Sequence, residues 1–339
     1  VLFLVRHQLF RKISAFVVVA ATTLSLSACQ APVETADSLV LYSGRSEELV
    51  QPLIDQFEVE TGIDVQVRYA SSAELAAQIL EEGENSPMDV FFAQDAGALG
   101  AVAKAGLFEV LPEGIVGSVE DRYSSREKLW VGVSGRARIF SYNPAKVSEV
   151  PASVFDLADP SWKGRIGIAP TNASFQSFVT AMRITVGEEK TLEWLRAMKE
   201  NAVLFEKNGA ILEAVETEVV DAGLINHYYY FERGNEVGFE NLTSKIGYFQ
   251  AGDVGNLINV AGVGIRNTNT ATLKFVEYLV SQTGQKYFAE QTGEYPLIDG
   301  IQPAFDLAPL SELPAPAIDL SDLDSLSKTL ELIREAGLI

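Results

Sequence analysis

The chain has 339 residues, 47% of them hydrophobic, and 26 Lys and Arg against 46 Asp and Glu give it a net charge of −20. That is enough chain for two lobes, because single cores stop growing near about 250–300 residues. A balance this acidic excludes nucleic acid and anionic lipid faces as natural partners; it suits a cationic ligand, and it equally suits an exported protein that only needs to stay soluble.

In chain order, Arg6, Arg11 and Lys12 open a positive segment. The apolar run from Ile13 to Leu26 follows, too short for a comfortable membrane span of about 20 residues but of the length of an export signal. It ends in Leu26-Ser27-Ala28-Cys29, which resembles the bacterial lipobox, with Cys29 the residue that receives lipid. Cys29 is the only cysteine, so a disulfide framework and a thiolate metal site are both excluded. Residues 1–28 read as a cleaved signal peptide, whose loss deepens the negative charge by three units, and residues 29–38 as a lipidated cysteine and polar tether.

The body alternates between strand and helix patterns. Leu39 to Tyr42 reads as a strand. Ser46 is placed to cap a helix carrying Leu49, Val50, Leu53, Ile54 and Phe57 at helical spacing, with Gly62 as its stop. Ile63, Val65, Val67 and Tyr69 alternate as a strand, and Ser72 starts a helix through Leu75, Ile79 and Leu80. Asp89 to Ala93 reads as a buried strand, followed by a Gly/Ala-rich helix from Asp95 to Ala105. After Trp162 the pattern restarts: a strand from Arg165 to Ala169, helices over Phe175–Val186 and Lys190–Lys199, a helix capped by Asn208, and a strand from Ala222 to Ile225. Leu273–Val280, Gln285–Gln291 and Ser321–Ala336 read as helices. This order predicts an α/β fold of two lobes, each a mixed, mostly parallel sheet flanked by helices, with ligand in the crevice beyond the strand ends.

Catalytic and soft-metal side chains are scarce. His7 lies in the export segment, which leaves His227 as the one histidine of the body. Sites for zinc, copper or haem built from His and Cys are thereby nearly excluded, and no nucleophile elbow or phosphate loop is present. An enzyme would have to work through His227 alone. One segment stands out: Asn226-His227-Tyr228-Tyr229-Tyr230-Phe231, directly after the strand Ala222–Ile225. It reads either as an aromatic cluster packed in a core or as phenols converging at a strand's C-terminal end. Convergent phenols have a specific chemistry. A phenolate is a hard donor, and with a free pKa near about 10 it needs a strong Lewis acid to ionise at neutral pH; Fe³⁺ is one. Three phenolates would balance that charge, and an anion such as carbonate, filling the remaining positions, would need arginine or backbone N–H partners.

Leu41-Tyr42-Ser43-Gly44-Arg45, Phe57–Ile63, Glu81–Ala93, Ser134–Pro144, Leu224–Tyr229 and Glu294–Leu297 occur in an order that resembles the bacterial ferric-ion-binding proteins, the iron-carrying components of ABC importers. The resemblance spans Leu39 to about Ile339. It implies a type II periplasmic-binding-protein fold with lobe 1 over 39–136 and 259–308 and lobe 2 over 137–258 and 309–339, the crossings falling near Arg136 and Asn259. It implies no catalysis, a monomer held to the membrane through its lipid, and an ABC permease as partner. Tyr228 and Tyr229 fall on the family's iron-gripping pair, and Tyr142 on a further tyrosine used in one branch. Ser46 and Gln94 stand where other members have a histidine and a glutamate ligand, which favours the branch using three tyrosines and an anion. Arg45, Arg136 and Arg138, with Ser43 and Ser46, are the candidate anion partners; one of the two strand arginines equally fits an ion pair inside a lobe. Asn172, Ser174 and Asn208 match phosphate-holding positions of the other branch, and Asp95 is either a weak extra ligand or its helix's cap. Related binding proteins take polyamines, thiamine or phosphonates, so an organic cation or oxyanion on the same fold is the competing expectation.

Overall fold

The structure, a computed structural model, describes residues 37–303 and 307–339. The export segment, His7, Cys29 and most of the tether lie outside the described residues.

The first half opens with β1 (Ser38–Ser43), α1 (Glu47–Thr61), β2 (Asp64–Tyr69), α2 (Ser72–Glu82), β3 (Val90–Ala93), α3 (Ala96–Lys104) and the single turn α4 (Glu113–Val116). The amphipathic spacing in α1 buries Val50, Leu53, Ile54 and Phe57 against the sheet. Gly62 closes that helix in the left-handed region at φ 71°, donating its N–H to Glu58 O. α2 starts at Ser72 as expected, and the residue capping it is Ser71. Its hydroxyl accepts from the Glu74 N–H while the Glu74 carboxylate accepts from the Ser71 N–H.

β4 (Trp130–Tyr142) is the strand that organises the molecule. It is followed by β5 (Ile166–Ile168), α5 (Ala173–Val186), α6 (Glu188–Asn201), β6 (Ala202–Leu204), α7 (Asn208–Glu216), β7 (Ala222–Asn226), α8 (His227–Val237), β8 (Lys245–Gly247), β9 (Ile258–Ile265), α9 (Thr270–Leu279), α10 (Gln282–Gln291) and α11 (Leu326–Glu335). The strand order is β2-β1-β3-β9-β4-β7-β5-β6, with β8 also on β4. Outer pairs are parallel and the pairs made by β4 and β9 antiparallel. Trp130 to Ala137 pairs with β9, whereas Arg138 to Tyr142 pairs with β7 and β8. One continuous strand thus belongs to two sheet halves, and Arg136 faces Asn259 across the ladder just before it leaves the first.

Large apolar side chains fill the interior: Phe57, Phe91, Phe92, Phe275 and Phe288 in the first half, Phe140, Phe175, Phe178 and Trp194 in the second. Truncating one of these to alanine typically costs about 3–5 kcal/mol. The expected C-terminal helix from Ser321 is broken. A 3-10 turn over Leu320–Asp324 packs on α3 and is held by Arg126 to Asp319 at 2.7 Å and to Asp322. α11 then packs on α5 and α6, with Thr180 and Thr329 hydroxyls 2.7 Å apart.

Candidate functional site

Strand C-termini of both halves meet at a cleft of about 350 Å³. The turn after β1 delivers Arg45 and Ser46, and the first turn of α1 delivers Leu49; the end of β3 is followed by Gln94; the turn after β5 delivers Asn172; α8 delivers Tyr228, Tyr229 and Glu232. α1, α3, α5 and α8 begin where those strands end, so four helix N-termini point their positive ends toward the crevice. Gly44 permits the close approach on the β1 side, because a Cβ there would lie 2.2 Å from Ser72 Oγ. The same Ser72 hydroxyl accepts from the Gln94 N–H at 2.8 Å, tying the start of α2 to the end of β3.

α8 starts at His227, so the adjacent tyrosines occupy its first turn rather than alternate faces of a strand. Their ring centroids lie 4.3 Å apart at an interplanar angle of 30°. Burial first, then the hydrogen-bonded Tyr228 phenol and the Glu232 carboxylate, hold Tyr229 well above the ordinary phenol range. Tyr229 is therefore neutral when empty and ionises only against a strong Lewis acid, helped by the helix end beneath it. Among the described residues no three His, Cys, Asp or Glu side chains gather as a ligand set.

Tyr142 is not brought to this pair. It faces Ala222, at the opposite end of β7 from Asn226, about 13 Å back along the strand. Its ring stacks on Phe140 at 5.8 Å, and it stands against Gly247. β4 register fixes this: the strand runs away from the cleft, and its last residue ends at the far edge.

The arginines part in the same way. Arg45 is buried and forms a two-pronged bond with Glu294, NH1 to Oε1 at 3.0 Å and NH2 to Oε2 at 2.9 Å. Burial works against both charges, and their attraction outweighs it: Arg45 sits above and Glu294 below its ordinary value. Arg136 is equally buried, yet its Nε, Nη1 and Nη2 have no hydrogen-bond partner; Glu294 is 3.8 Å away. Asn259, directly across the ladder and so on the same sheet face, has an unpartnered Nδ2. Arg138 instead lies inside the second half, its guanidinium 4.9 Å over Phe178 and 5.7 Å over Phe175, donating to Leu224 O at 3.2 Å. Burial lowers it to about 9.

The remaining candidates divide by what they already bind. Ser43 is closed on its own loop through the Arg45 N–H and C=O. Ser46 makes no capping bond through its hydroxyl and faces the cleft. Asp95 caps α3 by accepting from the Ala98 N–H and takes a bond from Ser177, with burial raising its pKa. Asn172 caps α5, and Ser174 accepts from Asn226. Asn208 is not a cap: Lys207 holds that position, and Asn208, fully buried, leaves both amide atoms unpartnered beside Gly209, which faces the Tyr229 ring. Glu232 and Glu294 were not anticipated as site residues. Glu232 had a signal, since it follows the tyrosines by three and four positions and shares their helix face; Glu294 lies in a segment that carries the resemblance, but nothing local pointed to its pairing with Arg45, 249 residues away.

His227 lies behind the pair rather than in the cleft. Its Nδ1 accepts from the Ala137 N–H at 3.2 Å and its Nε2–H donates to Gly293 O at 3.0 Å, so it clamps β4 to the segment before Tyr295 as a neutral ring. Burial lowers its pKa from 6.5 to about 4, against the pull of Glu294. Between those values the unfolded chain binds a proton that the folded chain refuses. Stability should therefore fall by about 3 kcal/mol from this residue as pH drops from 6.5 to 4. Urea denaturation across that range checks it: His227→Gln should flatten the slope, and an unchanged slope would rule His227 out as its source.

Residues 39–293 match the family model of bacterial extracellular solute-binding proteins. The Fe(3+)-binding periplasmic protein of Serratia marcescens is 36% identical over 307 residues, 89% of this chain and 90% of the relative. Iron-bound HitA from Pseudomonas aeruginosa superposes with a TM-score of 0.84 at 34% identity, over 89% of this chain and 99% of that one. A Trichodesmium protein solved with iron and citrate (IdiA, FutA) gives a TM-score of 0.76 at 30% identity, over 88% and 99%. The architecture is that of a two-lobed type II periplasmic binding protein, and the chain belongs to the bacterial extracellular solute-binding proteins.

Proposed function

We propose that this chain is the extracytoplasmic binding component of an ABC importer and carries ferric iron between its lobes, bound through the phenolates of Tyr228 and Tyr229. It is a binding protein and not an enzyme. The observation that carries the reading is the tyrosine pair itself, ring centroids 4.3 Å apart on a helix N-terminus and opening into the cleft. Relatives similar over nearly the whole chain are named for ferric-ion binding or were solved with iron. Two phenols give up two protons to the metal, which favours a small, hard, highly charged cation over an organic one.

An anion such as carbonate completes the site in this reading. Arg136 is its main partner, because its guanidinium is buried with unmet donors and Asn259 Nδ2 points from the same face. Asn208 and Asn172 are lesser partners. Lobe 1 comprises 39–136 with 259–308, and lobe 2 comprises 137–258 with 309–339; they close on the metal by hinge motion at the Arg136–Asn259 crossing and then dock on the permease. Lipid on Cys29 tethers the monomer to the membrane.

Titration of the purified protein with ferric citrate and bicarbonate tests the reading. A visible tyrosinate-to-iron band should grow and saturate at a single equivalent. No band would favour an organic ligand. Arg136→Gln should weaken iron retention roughly 10–100-fold, the range for groups that orient a metal's ligands, and abolish its dependence on bicarbonate. Unchanged bicarbonate dependence would move the anion elsewhere.

A further inference from the structure

The tyrosine pair leaves a charge deficit. Two phenolates against a trivalent cation leave one positive charge in a cleft whose other polar linings are neutral, as with Ser46, Gln94 and Asn172, or already paired, as with Arg45. Among the described residues Glu232 is the one carboxylate that lines this cleft. It follows Tyr228 by four positions and Tyr229 by three in α8, the two spacings that bring helical side chains onto one face. Its surroundings distinguish it from the other carboxylates nearby. Glu294 is held by Arg45 and Ser134, Asp95 caps α3, and Glu236 pairs with Arg233. Glu232 is half-buried and has no hydrogen bond or ion pair among the described residues. A half-buried carboxylate without a partner is costly to keep ionised, and a metal beside two phenols would supply the missing partner.

We propose that Glu232 is a third protein oxygen ligand of the ferric ion, bringing the protein's own donors to three negative charges. The proposal rests on Tyr228 and Tyr229 as iron ligands. A carboxylate is a hard donor that follows the same preference as the phenolates. It also gives α8 three of the donors, so that one rigid helix presents most of the site before the lobes close.

The test uses the full chain and its Glu232→Gln, Glu232→Asp and Glu236→Gln variants, loaded with ferric citrate and challenged with excess citrate. Glu232→Gln should keep the tyrosinate band but shift it to longer wavelength, because a metal that loses an anionic donor is a better electron acceptor. It should also surrender iron to citrate about tenfold or more readily. Glu232→Asp, which keeps the charge on a shorter arm, should fall between. Glu236→Gln, one turn further along α8, should match the wild type. Wild-type band position and retention in Glu232→Gln would overturn the proposal while leaving the tyrosines as ligands. A wild type that develops no band would overturn both.

Discussion

Replacing Tyr229 with phenylalanine should lower ferric-ion affinity by more than about a hundredfold while leaving the empty protein folded. The magnitude follows from the donor lost. Groups that only orient a metal's ligands are worth roughly 10–100-fold in affinity, and a directly coordinating anion is worth more. The fold is spared because the ring remains. Phenylalanine preserves the 4.3 Å contact with Tyr228 and the packing over Gly209, and the hydroxyl removed is bonded within the pair. Tyr228→Phe should behave alike, and the double variant should develop no visible band at any iron concentration. Competition against citrate measures all three. If each single variant held iron as the wild type does, the cation would not be bound by this pair. A thermal melt of each empty variant separates loss of a donor from loss of structure.

Glu294→Ala should be among the most destabilising single changes in the chain, by about 3–5 kcal/mol. Glu294 neutralises Arg45 through two bonds at 3.0 and 2.9 Å, accepts from Ser134 at 2.9 Å and stands 3.8 Å from Arg136. Its removal strands two guanidinium groups that are both almost fully buried. The expected consequence is a melting temperature lower by roughly 5–10 °C, because a chain of this length shifts by no more than about 2 °C per kcal/mol. Because the folded carboxyl lies below its ordinary value, the stabilisation is present above the unfolded pKa of about 4.3 and disappears as pH falls through the lower folded value. The difference between wild type and variant should therefore shrink on acidification. An equal melting temperature at neutral pH would mean that the buried pair contributes nothing net. The variant should also load iron poorly, since Arg45 lines the cleft beside the tyrosines and its guanidinium is held by Glu294.

The helices were legible wherever a single buried face set the period, as in α1, and the strands wherever both faces are buried in a short apolar run, as in β3. β4 was not legible as one long strand. It carries Arg136 and Arg138 in a stretch buried almost throughout, and charged residues at buried positions look like surface in a string. That strand then decided the fate of Tyr142: its motif pointed to the cleft, but register carries position 142 to the far end of β7, where Phe140 receives the ring. The sequence left Arg136 and Arg138 equivalent, two residues apart on one face. The structure separates them, because the strand changes partners between them: Arg136 remains at the crossing with unmet donors, and Arg138 passes under α5 onto two phenylalanines. Asn208 looked like a cap by residue type, and its unpartnered amide is visible only once Lys207 is seen to occupy the capping position. The Arg45–Glu294 pair depends on the chain returning from lobe to lobe, which no local pattern encodes.

A crystal structure of the iron-loaded protein, with anomalous data collected at the iron edge, tests the central claim most directly. A single anomalous peak should lie in the cleft within bonding distance of the Tyr228 and Tyr229 hydroxyl oxygens, with an anion between the metal and Arg136. A peak remote from both hydroxyls, or a cleft filled by an organic molecule with the phenols still protonated and stacked, would contradict it.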